Sequence, residues 1–145
     1  MIELMVVVFI ISISLALIMP SLWVSSDMSA LRTEARHMGS SLRYVYDEAV
    51  GRKQTYLLNI NLDDRSWGFE SSGIARSFKI KGDIEINDVM IPSHGKISRG
   101  EITVVFGPLG PEEPIILHLR KGDSEYTVIF NHLNGRVKIH EGYVL

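Results

Sequence analysis

The feature that most constrains this 145-residue chain is an uncharged, apolar run near its start. Residues 4–26 carry no charge, and Glu3 is the only charged residue before Asp27. A helix that spans a bilayer needs about 20 mostly apolar residues, so the run is long enough. A buried core helix of this length at a chain terminus is uncommon. We therefore predict a transmembrane or assembly helix over residues 1–26, with a kink at Pro20.

Glu3 has two interpretations. A carboxylate at the membrane-embedded end of a helix is costly and usually has a partner or a route to water. Glu3 either pairs with a positive group on another subunit or lies at the interface as a first-turn anion favoured by the helix dipole. The nearest basic residues, Arg32 and Arg36, follow the apolar run, and the positive-inside rule alone would place that side in the cytoplasm.

The helical pattern continues as an amphipathic segment over residues 27–53. Its apolar positions are spaced alternately four and three residues apart, which places them on one helix face. They are Leu31, Ala35, Met38, Leu42, Val45 and Ala49. Gly51, followed by Arg52 and Lys53, is typical of a helix end. This face needs a partner surface, and a sheet of the same chain is the expected one.

From Tyr56 onward the apolar residues alternate with period two, which indicates strands. The predicted strands are residues 56–62, 67–69, 76–81, 84–90, 102–106, 115–119, 126–130 and 136–140. Short turns between them favour antiparallel pairing, and residues 107–114 are expected to form an exposed loop. The fold class is therefore α+β, with a long N-terminal helix packed on an antiparallel β-sheet domain over residues 54–145.

Composition and motifs exclude several classes of function. The chain has no cysteine, which excludes disulfide scaffolds and thiolate sites, and its 15 basic and 17 acidic residues give a net charge of −2. No histidine pair has metal-ligand spacing, and His118 and His140 are expected on strand surfaces. No nucleophile elbow or phosphate-binding loop is present. We expect no catalytic site, no metal and no cofactor, and hence a protein that is not an enzyme.

Residues 1–8 resemble the start of the type IV pilin-like family, whose mature chains begin Phe-Thr-Leu-Ile-Glu-Leu and continue with apolar residues. Glu3 matches the glutamate of that family, and Pro20 matches the proline that often bends its helix. Residues 64–67, 105–110, 126–130 and 134–139 are similar to patterns of the H-type minor pseudopilin (GspH/FimT-like) branch. The resemblance covers essentially the whole chain.

The resemblance implies a structural subunit of a type II secretion pseudopilus. Such a chain would first lie in the bacterial inner membrane as a single-pass protein with its globular domain in the periplasm. It would then assemble with other pseudopilins or minor pilins through helix packing. The role of the family's glutamate, to neutralise the terminal amine of a neighbouring subunit, would fall to Glu3. Besides those subunits, membrane lipid is an expected partner.

The N-terminus departs from the family pattern. The basic leader and the Gly-Phe cleavage site of the family do not occur in this sequence, and Met1 aligns with the third mature residue. We expect a leader upstream of Met1, which would supply the missing basic residues, the prepilin peptidase site and the N-methylated phenylalanine.

A second function suggested by the FimT-like relatives is DNA binding for uptake, or the priming of type IV pilus assembly. The candidate phosphate contacts are Arg136 and Lys138, with Arg120 and Lys121 at the end of an earlier strand. Glu141 and the slightly acidic whole chain count against this interpretation.

Overall fold

One long helix precedes all the strands. The computed structural model describes the backbone of residues 1–145 and the side chains outside residues 17–27. Helix α1 spans Ile2–Arg52. It passes Gly51, the expected end, and stops where Lys53 adopts a left-handed conformation with φ 53° and donates its amide hydrogen to the Ala49 carbonyl. The predicted kink at Pro20 lies outside the described side chains.

Nine strands follow α1. They are β1 (Tyr56–Asn61), β2 (Ser66–Ser71), β3 (Ile74–Lys79), β4 (Glu85–Ile91), β5 (Gly95–Ile97), β6 (Glu101–Phe106), β7 (Ile115–Lys121), β8 (Ser124–Phe130) and β9 (Val137–Glu141). They form two antiparallel sheets: sheet A in the order β3-β2-β1-β6 and sheet B in the order β5-β4-β7-β8-β9.

The α+β class and the antiparallel pairing are confirmed, but the expectation of one sheet is corrected to two. The period-two pattern reports which face of a strand is buried and not which strand is its neighbour, so it does not reveal the division. Strand β5 was missed because its three residues are too few to show a period. The domain boundaries at residues 26 and 53 stay predictions.

The core lies where α1 meets the two sheets. All six residues of the apolar stripe predicted on α1 are buried. The helix packs mainly on β7, β8 and β9, and Phe106 of sheet A lies 5.5 Å, centroid to centroid, from Phe130 of sheet B. His37 on α1 makes edge contacts with Trp67 and Phe78 of sheet A, at 5.4 and 5.0 Å. The helix thus joins both sheets through one continuous cluster.

Candidate assembly surface

The first turns of α1 contact no other part of the described structure and expose their apolar side chains. Residues 1–16 are all exposed, and the large apolar ones are Met1, Ile2, Leu4, Met5, Val6, Val7, Val8, Phe9, Ile10, Ile11, Ile13 and Leu15. The hydroxyls of Ser12 and Ser14 donate hydrogen bonds to the Val8 and Ile10 carbonyls at 2.8 Å, so neither needs an outside partner. This surface offers almost only dispersion and hydrophobic contacts.

A membrane span is not visible in this part of the helix. Where side chains are described, no helical stretch is both long and apolar enough to cross a bilayer.

Glu3 is the charged exception on this surface. It lies exposed in the first turn of α1, and no ion pair among the described residues includes it. The local geometry fits both interpretations of Glu3, because a first-turn carboxylate benefits from the helix dipole and is also accessible to another chain.

The four candidate DNA contacts do not form one cluster. Arg120 donates from Nε to Glu85 Oε1 at 2.9 Å, and this carboxylate raises the pKa of the guanidinium. Arg136 and Lys138 are both exposed. Arg136 comes just before β9 and Lys138 lies on β9, which pairs with β8 on the side away from β7. Lys121 ends β7 beside the paired Arg120. A DNA-binding role would therefore depend chiefly on Arg136 and Lys138, and it stays a prediction.

The structure reveals a buried polar cluster that the sequence analysis missed. Asp88 on β4 and His118 on β7 are fully buried on the outer face of sheet B, with Nδ1 of the ring 2.6 Å from Asp88 Oδ1. The expectation that His118 is a strand-surface residue was wrong, whereas His140 is exposed as expected. The reason is the C-terminal tail, residues 142–145, which crosses the sheet and covers His118.

Several contacts hold this tail in place. His118 Nε2–H donates to the Val144 carbonyl at 2.9 Å, and the Tyr143 ring stacks on the imidazole at 3.9 Å between centroids. Thr127 Oγ1 donates to the Gly142 carbonyl and accepts from the Val144 amide. Lys96 donates to the Tyr143 hydroxyl and pairs with Asp88, both at 3.2 Å, and these two contacts raise the pKa of its ammonium.

The described side chains form no metal site. Outside residues 17–27, no three His, Cys, Asp or Glu residues lie close enough together to hold a metal ion. Glu113, in the loop between β6 and β7, accepts the Ser93 amide at 2.7 Å, and this bond lowers the pKa of its carboxyl.

Comparison with solved structures identifies which known fold the chain adopts. No family model matches the sequence, and no curated protein sequence matches it. Among solved structures, two of the minor pseudopilin EpsH from the type 2 secretion system of Vibrio cholerae align with it. One gives a TM-score of 0.62 at 14% identity over 81% of this chain and 98% of that chain. The other gives 0.60 at 13% identity over 76% and 94%.

The chain has a pilin-like fold, that of a minor pseudopilin. The type IV minor pilin FimU of Pseudomonas aeruginosa shares it, with a TM-score of 0.53 at 14% identity over 76% of this chain and 87% of FimU. The resemblance inferred from residues 1–8 and from the C-terminal patterns is confirmed at the level of fold.

Proposed function

We propose that this chain is a non-enzymatic structural subunit of a type II secretion pseudopilus that assembles through the N-terminal half of α1. The observation that carries the proposal is the combination of a minor-pseudopilin fold with a helix whose residues 2–16 are all exposed and almost wholly apolar. A monomer in water gains nothing from exposing such a surface, whereas a membrane or a bundle of like helices would bury it.

The proposed location follows from the same surface. The uncharged run of residues 4–26 is long enough to hold the chain in the inner membrane before assembly, with the β-rich domain in the periplasm. Other pseudopilins would then replace lipid around the helix. In this exchange of lipid for helix contacts, the apolar side chains of the N-terminal half of α1 would stay out of water at every stage.

Glu3 supplies the directional part of this mechanism. In a bundle of apolar helices a carboxylate and a neighbouring chain's terminal amine attract strongly because the surroundings screen them poorly. Each group alone would be costly there, so the pair forms only when two subunits are in register. Glu3 would therefore select the axial position of one subunit against the next.

The decisive experiment compares Glu3→Ala with Glu112→Ala, which removes an exposed carboxylate of the loop between β6 and β7. Each full chain is expressed in its host, and its incorporation into filaments is measured by crosslinking and by recovery in sheared filament fractions. Glu3→Ala should insert into membranes normally and enter filaments at least tenfold less, whereas Glu112→Ala should behave as wild type. Filament entry of Glu3→Ala at the wild-type level would contradict the proposal.

The similarity to FimU favours a second candidate, a minor subunit of a type IV pilus. Both candidates use the same helix and the same Glu3. Deletion of the gene separates them, because a pseudopilus subunit is needed for protein secretion and a pilus subunit for surface piliation. Loss of piliation with intact secretion would establish the second candidate.

A further inference from the structure

A polar pocket lies between α1 and the edge of sheet B. It has a volume of about 270 Å³, and the residues that line it are Arg32, Arg36, Tyr126, Ile139 and Glu141. Arg32 and Arg36 are one helical turn apart and both exposed. Tyr126 of β8 and Glu141 of β9 are directly opposite each other in the sheet, so the far wall is fixed by strand pairing. We call this cavity the arginine pocket.

The two arginines of the pocket have no acidic partner among the described residues, whereas three other arginines of the domain each have one. Arg43 pairs with Asp47, Arg52 with Glu48, and Arg120 with Glu85. Among the described residues no ion pair includes Arg32 or Arg36. Glu141 lines the pocket without pairing with either. Two guanidinium groups and one carboxylate leave the pocket with one net positive charge.

This chemistry suits a phosphate group. Each guanidinium presents five N–H donors in a planar fork that matches phosphate oxygens. Two guanidinium groups one helical turn apart can bind one anion between them. Because the Glu141 carboxylate repels anions, only a small anionic group fits in the pocket.

The position of the pocket along α1 identifies the source of the phosphate. Arg32 follows Ser26, the last residue of the uncharged run, by six residues, which is about 9 Å of helix. The headgroup layer of a bilayer extends roughly 5–7 Å beyond the hydrocarbon on each side. Helical side chains tilt toward the N-terminus of their helix, so these guanidinium groups lean toward that layer.

We propose that the arginine pocket binds the phosphate of an anionic lipid headgroup and so seats the domain on the membrane before assembly. This inference rests on the proposed membrane insertion of residues 4–26. The pocket then sets the height of the domain above the bilayer. When the subunit leaves the membrane and enters a filament, it must release this lipid headgroup.

The test uses the full chain in phosphatidylcholine vesicles that carry traces of spin-labelled lipid. The fraction of motionally restricted label gives the relative affinity of the protein for phosphatidylglycerol over phosphatidylcholine. One net positive charge near the surface corresponds to about a fivefold preference for the anionic lipid. The Arg32→Gln/Arg36→Gln variant should lose this preference, and the Arg43→Gln/Arg52→Gln variant, with the same net charge, should keep it.

A pair of glutamate variants separates the pocket from general surface charge. Glu141→Gln removes the carboxylate inside the pocket and should raise the preference severalfold. Glu34→Gln removes one at a similar height on α1 but outside the pocket, and it should leave the preference unchanged. Equal effects of Glu141→Gln and Glu34→Gln would overturn the pocket as the binding site.

The remaining outcomes are equally decisive. Persistence of the preference in Arg32→Gln/Arg36→Gln would overturn the proposal, and loss of filament entry in that variant would then assign the pocket to a neighbouring subunit's carboxylate. Competition by millimolar inorganic phosphate would show a general anion site instead of a headgroup site. Failure of the wild-type chain to float with neutral vesicles would overturn membrane insertion itself, and with it both this inference and that part of the proposed function.

Discussion

At the scale of single residues, Asp88 and His118 are notable because both are polar side chains that the fold removes from water. Both are fully buried, so water is replaced by the contact between them, by Lys96 at Asp88 and by the tail at His118. A buried charged group is tolerated only while its partners are present. The pair therefore makes the folded state depend on contacts between residues far apart in the chain.

We predict that Asp88→Ala lowers the free energy of unfolding by about 3–5 kcal/mol, because it leaves His118 and Lys96 without their carboxylate. Urea unfolding of the full chain in mild detergent measures the change. Asp123→Ala, which alters an exposed turn between β7 and β8, should stay within about 0.5 kcal/mol of wild type. A loss of less than about 1 kcal/mol for Asp88→Ala would show that the cluster does not stabilise the domain.

The burial of His118 could not be predicted from the sequence. The pattern around it places it on the face of β7 opposite the apolar residues, and that face is normally exposed. What buries it is a tail that begins 24 residues later and has no strand pattern. Glu3 was singled out by a local feature of the sequence, one charge beside a long uncharged run, and its role in assembly stays a prediction.

At the scale of elements, the β2–β3 hairpin depends on one glycine. Gly68 lies opposite Asn59 on one side and Ser77 on the other. A Cβ atom at this position would fall on the Arg76 carbonyl oxygen and close to the Ser77 Cα, both of which are backbone atoms. Strand β3 therefore approaches β2 more closely here than any other residue would allow.

We expect Gly68→Ala to cost about 1–3 kcal/mol of stability, since backbone cannot move aside as a flexible side chain would. Gly51→Ala is the matched control. Nothing lies within 4 Å of the added methyl group there, and alanine is the better helix former, so stability should rise by up to about 1 kcal/mol. Thermal unfolding followed by circular dichroism distinguishes the two directions, and a neutral Gly68→Ala would show that β3 is free to shift.

Most elements were predictable because helix and strand periods are local properties. The stripe from Leu31 to Ala49 and the strands β1, β4, β6, β7, β8 and β9 fall close to their predicted positions. The division into two sheets was not predictable, because it depends on which strands lie next to each other in the folded protein. The end of α1 moved past Gly51 because Lys53 adopts the left-handed conformation usually taken by glycine.

At the scale of the whole molecule, the chain divides into a part that builds the core and a part that does not. Where side chains are described, the cluster of buried residues starts at Leu31, with Met28 packed against it. Residues 1–16 contribute nothing to that cluster. Folding of the domain and the proposed assembly through the helix would therefore depend on separate stretches of sequence.

A chain that begins at Met28 should accordingly keep the stability of the full chain to within about 1 kcal/mol when both are unfolded by urea in the same mild detergent. A chain that begins at Arg43 lacks Leu31, Ala35, Met38 and Leu42, and it should not fold, because each large buried side chain is worth about 2–5 kcal/mol. A strongly destabilised chain from Met28 would show that the first 27 residues support the domain.

The tail over His118 also gives the buried pair a way to meet water without unfolding of the sheet. Val144, whose carbonyl accepts the imidazole hydrogen, belongs to a segment that lies outside the strands. A displacement of this segment alone would open the outer face of sheet B to water around Asp88 while every strand kept its partner.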